Sequence, residues 1–133
     1  MSHLAALTES LELVAARSDD PAPAVYARLF AVRPDVEPLF IRDRSGIIRG
    51  QMLQVTIETL LDLADDGVIA PGMLQTERVN HQGLGVPEDA FDSFYRVLHA
   101  TFRDIGGEGW TGEMEGAWVA MIARAVATAR EGT

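Results

Sequence analysis

Few groups in this 133-residue chain are suited to holding a cofactor, because it has three histidines and no cysteine. The missing thiols remove disulfides, zinc fingers, iron–sulfur clusters and thiol catalysis together. His3 lies at the start of the chain, and His99 falls mid-helix beside Arg96 and Arg103. Both read as surface residues. His81 is placed differently, since it closes a short helix that Pro71 opens, and Gly83 and Gly85 break that helix just behind it. An imidazole at a helix end is ordinarily a surface group or a partner for the C-terminal dipole. To act instead as a neutral metal ligand it needs a large apolar slot in front of it. The neighbouring elements decide whether such a slot exists.

Nearly half the residues are apolar and 23% are charged, which describes a folded domain rather than a disordered chain. The length fits one domain over residues 1–133, with roughly two thirds of its unfolded surface buried. The formal charge of −9 opposes binding to nucleic acid or to an anionic membrane surface. No apolar run approaches the ~20 residues of a membrane span, and the N-terminus lacks the features of a signal peptide. A cytoplasmic location is the expectation.

Apolar residues recur at three-and-four spacing almost throughout, so the fold class is all-α. Leu4, Leu7, Leu11 and Val14 mark a first helix, which stops at Arg17-Ser18-Asp19-Asp20. Asp20 before Pro21 reads as a cap for a second helix carrying Val25, Tyr26, Leu29 and Phe30. Pro34 and Pro38 confine 33–40 to one short helical turn, and 41–46 is a loop. The segment 47–65 is the longest periodic one, with Leu53, Ile57, Leu60 and Leu61 on one face and Met52 beside it. Pro87-Glu88-Asp89 starts a helix with Phe91, Phe94, Leu98, Phe102 and Ile105, which Gly106-Gly107 ends. Thr111 caps a last helix that turns Met114, Trp118, Met121, Ile122 and Ala125 inward. The expected census is six substantial helices and one short one.

Three blocks within this order resemble one family. Residues 25–40, Val25-Tyr26-Ala27-Arg28-Leu29-Phe30 through Pro38-Leu39-Phe40, resemble the second and third helices of bacterial single-domain globins and of flavohaemoglobin globin domains. His81-Gln82-Gly83-Leu84-Gly85-Val86 is similar to the globin segment that carries the iron-ligating histidine. Trp110-Thr111 through Ala117-Trp118 resembles the start of the last globin helix. Order and spacing agree over essentially the whole chain. The resemblance implies a three-on-three helical sandwich with b-type haem between the fifth and sixth helices. It makes His81 the axial iron ligand, leaving a sixth position for a diatomic gas.

Further roles follow from the same resemblance. Phe40 would pack on the haem, and Tyr26 would turn its hydroxyl into the distal pocket to bond a bound gas. The alternative for Tyr26 is a hydroxyl held by a backbone carbonyl. Counting back from His81 places Leu53 over the haem and Arg49 at its distal edge. One inserted residue near Pro71 makes these Met52 and Ile48, and both registers stay open. Phe91, Phe94 and Leu98 would line the inner edge of the pocket, while Trp118 is packing. Arg42, Arg44, Arg49 and Arg78 are candidates for the haem propionates. Two departures stand out. Phe91 occupies the place of the tyrosine that flavohaemoglobin-type globins pair with a glutamate, whose counterpart would fall near Thr133. Glu77 stands where an apolar haem contact is usual, and it either bonds the His81 ring or points to solvent.

The function implied is reversible binding of dioxygen, or of another diatomic gas such as NO or CO, by a monomer or homodimer. An alternative is a nitric oxide dioxygenase served by an external reductase. Another is a haem-free globin-like interaction or signalling module, prompted by Glu77.

Overall fold

Within the computed structural model, residues 3–67, 72–75, 77, 81 and 85–130 are described, except for the side chains of Glu88, Phe91 and Arg130. Among these residues every regular element is helical, as the three-and-four periodicity requires. Helix α1 (His3–Arg17) buries Leu7 and Val14 on one stripe. The Asp20 carboxylate accepts the Ala22 N–H at 3.2 Å and starts α2 (Ala22–Val32), with Pro21 at its head. Pro34 and Pro38 limit the next segment to a 3₁₀ helix, Pro34–Phe40.

Helix α3 (Ile47–Ala64) follows a tight loop and closes at Gly67, whose N–H reaches the Asp62 carbonyl at 2.8 Å. A Cβ on Gly67 would lie 2.0 Å from an Asp62 carboxylate oxygen, so a larger residue there would have to displace that side chain. Residues 72–75, 77 and 81 are helical, while Pro71, Arg78, Gly83 and Thr133 lie outside the described residues. Helix α4 (Glu88–Gly106) leads through a 3₁₀ turn, Gly107–Gly109, into α5 (Gly112–Arg130). Thr111 caps α5 through its hydroxyl, which accepts the Met114 N–H at 3.1 Å.

Helix α1 packs on α5, α4 and α3, while α2 packs on α4, α3 and the first 3₁₀ helix. The centre holds Trp118, Phe102, Leu98, Leu7, Leu60 and Leu63, all almost wholly buried. Leu53 and Leu98 belong to this core.

His99 is not the surface residue that its arginine neighbours suggest. Its ring stacks on Trp118 at 5.9 Å with an 8° interplanar angle, and its Nε2 lies 2.8 Å from Glu115 Oε1. The same oxygen accepts the Trp110 indole N–H at 3.0 Å. Partial burial works against the charge on Glu115. The hydrogen bonds from His99 and Trp110, with Arg103 nearby, outweigh it and hold the carboxyl below its usual range. His99 faces α5 because it lies within the stripe that packs α4 on α5, and its charged neighbours Arg96 and Arg103 hide this in the sequence.

Candidate functional site

The first turn of α3 is anchored by Asp43, only 7% exposed in the preceding loop. Its carboxylate accepts the backbone N–H of Ile48 (3.2 Å) and of Arg49 (3.0 Å), satisfying two donors at the helix start. The Arg49 guanidinium bonds the same carboxylate through Nε at 3.1 Å, and a terminal nitrogen donates to the Asp43 carbonyl at 2.7 Å. Burial opposes the charge on Asp43, but the Arg49 and Ile48 amides and the Arg49 side chain prevail. The carboxyl is held below its usual range. Arg49 is thereby tied to the loop.

Tyr26 reaches this turn from α2. It is 2% exposed, and its hydroxyl donates to the Arg49 backbone carbonyl at 3.1 Å. Burial pushes its pKa well up, against a smaller downward pull from Arg49, so the phenol remains a proton donor near neutrality. Its ring meets Phe40 edge-on at 5.5 Å, Phe94 at 5.6 Å and Phe30 at 6.0 Å. Aromatic groups from α2, the first 3₁₀ helix and α4 therefore form one continuous wall.

Behind that wall lies a cavity of about 780 Å³, including its opening to solvent. Met52, Val55, Thr56 and Thr59 of α3 form one side, with Leu29, Val36, Leu39, Phe40, Phe94 and Tyr95 around them. Met73, Leu74, Glu77, His81, Val86 and Ala90 also line it. The lining is overwhelmingly apolar.

The backbone on both sides of His81 fixes the residue. The chain turns back behind it through Gly85, at φ +90°, so that the Val86 N–H donates to the His81 carbonyl at 2.9 Å. This is the six-to-one bond of a glycine-closed helix end. The imidazole Nδ1 lies 2.6 Å from the Glu77 backbone carbonyl, which can only accept. In the neutral ring Nδ1 therefore carries the proton and Nε2 the lone pair, which is the tautomer a metal ligand needs. The Glu77 carboxylate is 3.7 Å from the same nitrogen, too far for a hydrogen bond, and its side chain is half-buried at the cavity wall. Hence the backbone of Glu77 orients the ring, and its side chain contributes proximity of charge.

Of the residues singled out in the sequence, His81, Tyr26, Phe40, Met52 and Phe94 come together on this cavity. Leu53 and Leu98 do not line it, because both face the helix-packed core. Ile48 sits on the cavity-facing stripe of α3, one turn before Met52, and lies mostly in solvent. Arg49 faces an outer groove that it shares with Phe30 and Glu37, on the other side of the Tyr26 ring. The Phe91 side chain is outside the described residues.

Val55, Thr56 and Thr59 were missed, although they follow from Met52 by steps of three, four and seven along one helix face. Tyr95 was also missed. It is 4% exposed, lies four residues after Phe91, and its hydroxyl pKa is pushed up by burial and then by the charges of Asp92 and Glu77. One turn of helix thus separates it from the position where a tyrosine was sought.

Among the described residues no three histidine or carboxylate groups converge on a bare metal ion. The donor set is a single oriented imidazole before a broad apolar slot, which suits a flat macrocyclic cofactor that brings most of its iron ligands with it. Haem fits these residues. No described helix is long and apolar enough to cross a membrane. No curated protein matches the chain. The family model described as Globin matches residues 23–129, spanning α2 to α5 and the whole cavity wall. With that match and this all-α arrangement, the chain belongs to the globin family.

Proposed function

We propose that residues 1–133 form a single-domain globin, similar to those of bacteria, which holds b-type haem through His81 and reversibly binds a diatomic gas in the cytoplasm. Globins as a family hold haem and bind such gases. The observation that carries the reading is the His81 ring on the wall of an apolar cavity, with its Nδ1–H committed to the Glu77 carbonyl. When bound, the haem would supply an iron with one coordination position open to the gas. Leu29, Val36, Phe40, Met52 and Phe94 would cover its faces and exclude water.

Tyr26 is the proposed distal donor, and its hydroxyl already has a partner in the Arg49 carbonyl. Turning toward a gas exchanges one hydrogen bond for another, so the net gain is about 0.5–1.5 kcal/mol. Tyr26→Phe is accordingly expected to speed dioxygen release by roughly 2- to 10-fold, measured by stopped-flow ligand replacement. An unchanged release rate would mean that the hydroxyl stays on the Arg49 carbonyl and takes no part in gas binding.

A further inference from the structure

The methionines of this chain are put to different uses, and burial separates them. Met114 and Met121 are 6% and 4% exposed and fill the interior, the usual employment of a flexible apolar side chain. Met52 is only partly buried and is not packed in the core, where its neighbour Leu53 makes the contact for that turn of α3. Its side chain lines the cavity instead. The backbone is fixed at this point, since the Thr56 hydroxyl donates to the Met52 carbonyl at 2.8 Å.

Among the described residues, the other polar atoms of the lining are committed or stand on the His81 side. The Thr59 hydroxyl, like that of Thr56, donates to a carbonyl one turn back, here that of Val55 at 2.7 Å. The Tyr26 hydroxyl donates to the Arg49 carbonyl, and burial keeps Tyr26 and Tyr95 as protonated phenols rather than phenolates. The Glu77 carboxylate approaches Nδ1 of His81, the nitrogen turned away from a metal at Nε2. Met73 belongs to the same side of the cavity as His81, two helical turns earlier in that segment. Met52 is left as the soft, neutral donor that reaches the slot from another element.

We propose that Met52 is the second axial ligand of the haem iron, opposite His81, in the ferrous protein without gas. The assignment rests on the haem reading above. The thioether sulfur gives a lone pair to the iron, and no electron or proton is transferred. A soft ligand suits ferrous iron better than ferric, and a neutral one brings no charge into an apolar slot. Methionine opposite histidine also raises the iron's reduction potential. An incoming gas breaks the iron–sulfur bond and takes the same position. Every gas therefore loses affinity in proportion to the fraction of iron left free, and only strong binders fill the site at low pressure.

The test is Met52→Leu, with Met73→Leu beside it, in the haemin-loaded chain reduced under argon. Leucine nearly conserves the volume, and Met52 lies outside the core, so the fold should survive. Wild type and Met73→Leu are expected to give a six-coordinate, low-spin ferrous spectrum, and Met52→Leu a five-coordinate, high-spin one. X-ray absorption at the iron edge should find one sulfur neighbour in the wild type, replaced by selenium in selenomethionine-labelled protein and absent from Met52→Leu. Carbon monoxide should bind Met52→Leu about ten-fold more tightly. The ferric/ferrous midpoint should fall by about 59 mV in that variant, the equivalent of a ten-fold preference of the sulfur for ferrous iron. A five-coordinate, high-spin ferrous wild type would overturn the assignment. So would a low-spin spectrum that survives Met52→Leu, or one that is lost in Met73→Leu instead. Failure of the haem reading looks different: a protein with no Soret band removes both, whereas a Soret band over high-spin ferrous iron removes Met52 alone.

Discussion

Replacing His81 with alanine is expected to remove the Soret band of the haem-loaded protein or shift it to that of weakly held haem, while helicity stays unchanged. The side chain is partly exposed and is not part of the packed core, so little folding energy depends on it. Its value lies in orientation. The Glu77 carbonyl fixes the proton on Nδ1, and the glycine-closed turn at Gly85 holds the residue at the cavity wall. Loss of a partner behind a metal ligand alone costs about 10- to 100-fold in affinity, so loss of the ligand should cost more. Added imidazole should restore the wild-type spectrum in His81→Ala by entering the vacated space. An unaltered spectrum in the variant would move the axial ligand elsewhere.

Trp118→Ala is expected to cost about 3–5 kcal/mol of folding stability, read from urea denaturation of the apo form. Trp118 is completely buried, meets Phe102 edge-on at 5.6 Å, and stacks on His99. Its indole N–H also donates to the Ser10 hydroxyl at 2.8 Å, joining α5 to α1. Trp118→Phe should recover most of the loss, because it restores the ring and leaves out only this bond, worth about 1 kcal/mol. A cost near zero for alanine would mean that the α1–α5 contact is not the support of the fold. The cavity would then need another explanation for its shape.

Much of this architecture was legible because single residues announced it. Asp20, Pro21, Pro34 and Thr111 act locally, and each marks the boundary its chemistry suggests, while Pro38 falls inside the 3₁₀ helix that Pro34 opens. The apolar stripes of α1 and α5 follow from period alone. His81, Tyr26, Phe40 and Phe94 line one cavity, while the Tyr26 hydroxyl takes the backbone-carbonyl partner that stood as the alternative in the sequence. What sequence could not give was helix rotation. Met52 and Leu53 differ by about 100° around α3, and only the packing of Leu60 and Leu63 on the core decides which one faces the cavity.

Long-range polar contacts were equally invisible. The bond from Tyr26 to the Arg49 carbonyl joins residues 23 apart in the chain, and that between His99 and Glu115 joins two helices. Each depends on how neighbouring helices settle against one another. Asp43 reads as one more charge in a polar loop, yet it organises the whole first turn of α3. A short acidic side chain five and six residues before two amides becomes a cap only once Gly46 turns the backbone left-handed, at φ +79°.

The most direct test of haem ligation by this chain is titration of the purified apo protein with haemin, followed by absorption. A Soret band that saturates at one haem per chain, and whose reduced form shifts reversibly under carbon monoxide, is the expected result. A folded protein that takes up no haemin would contradict it.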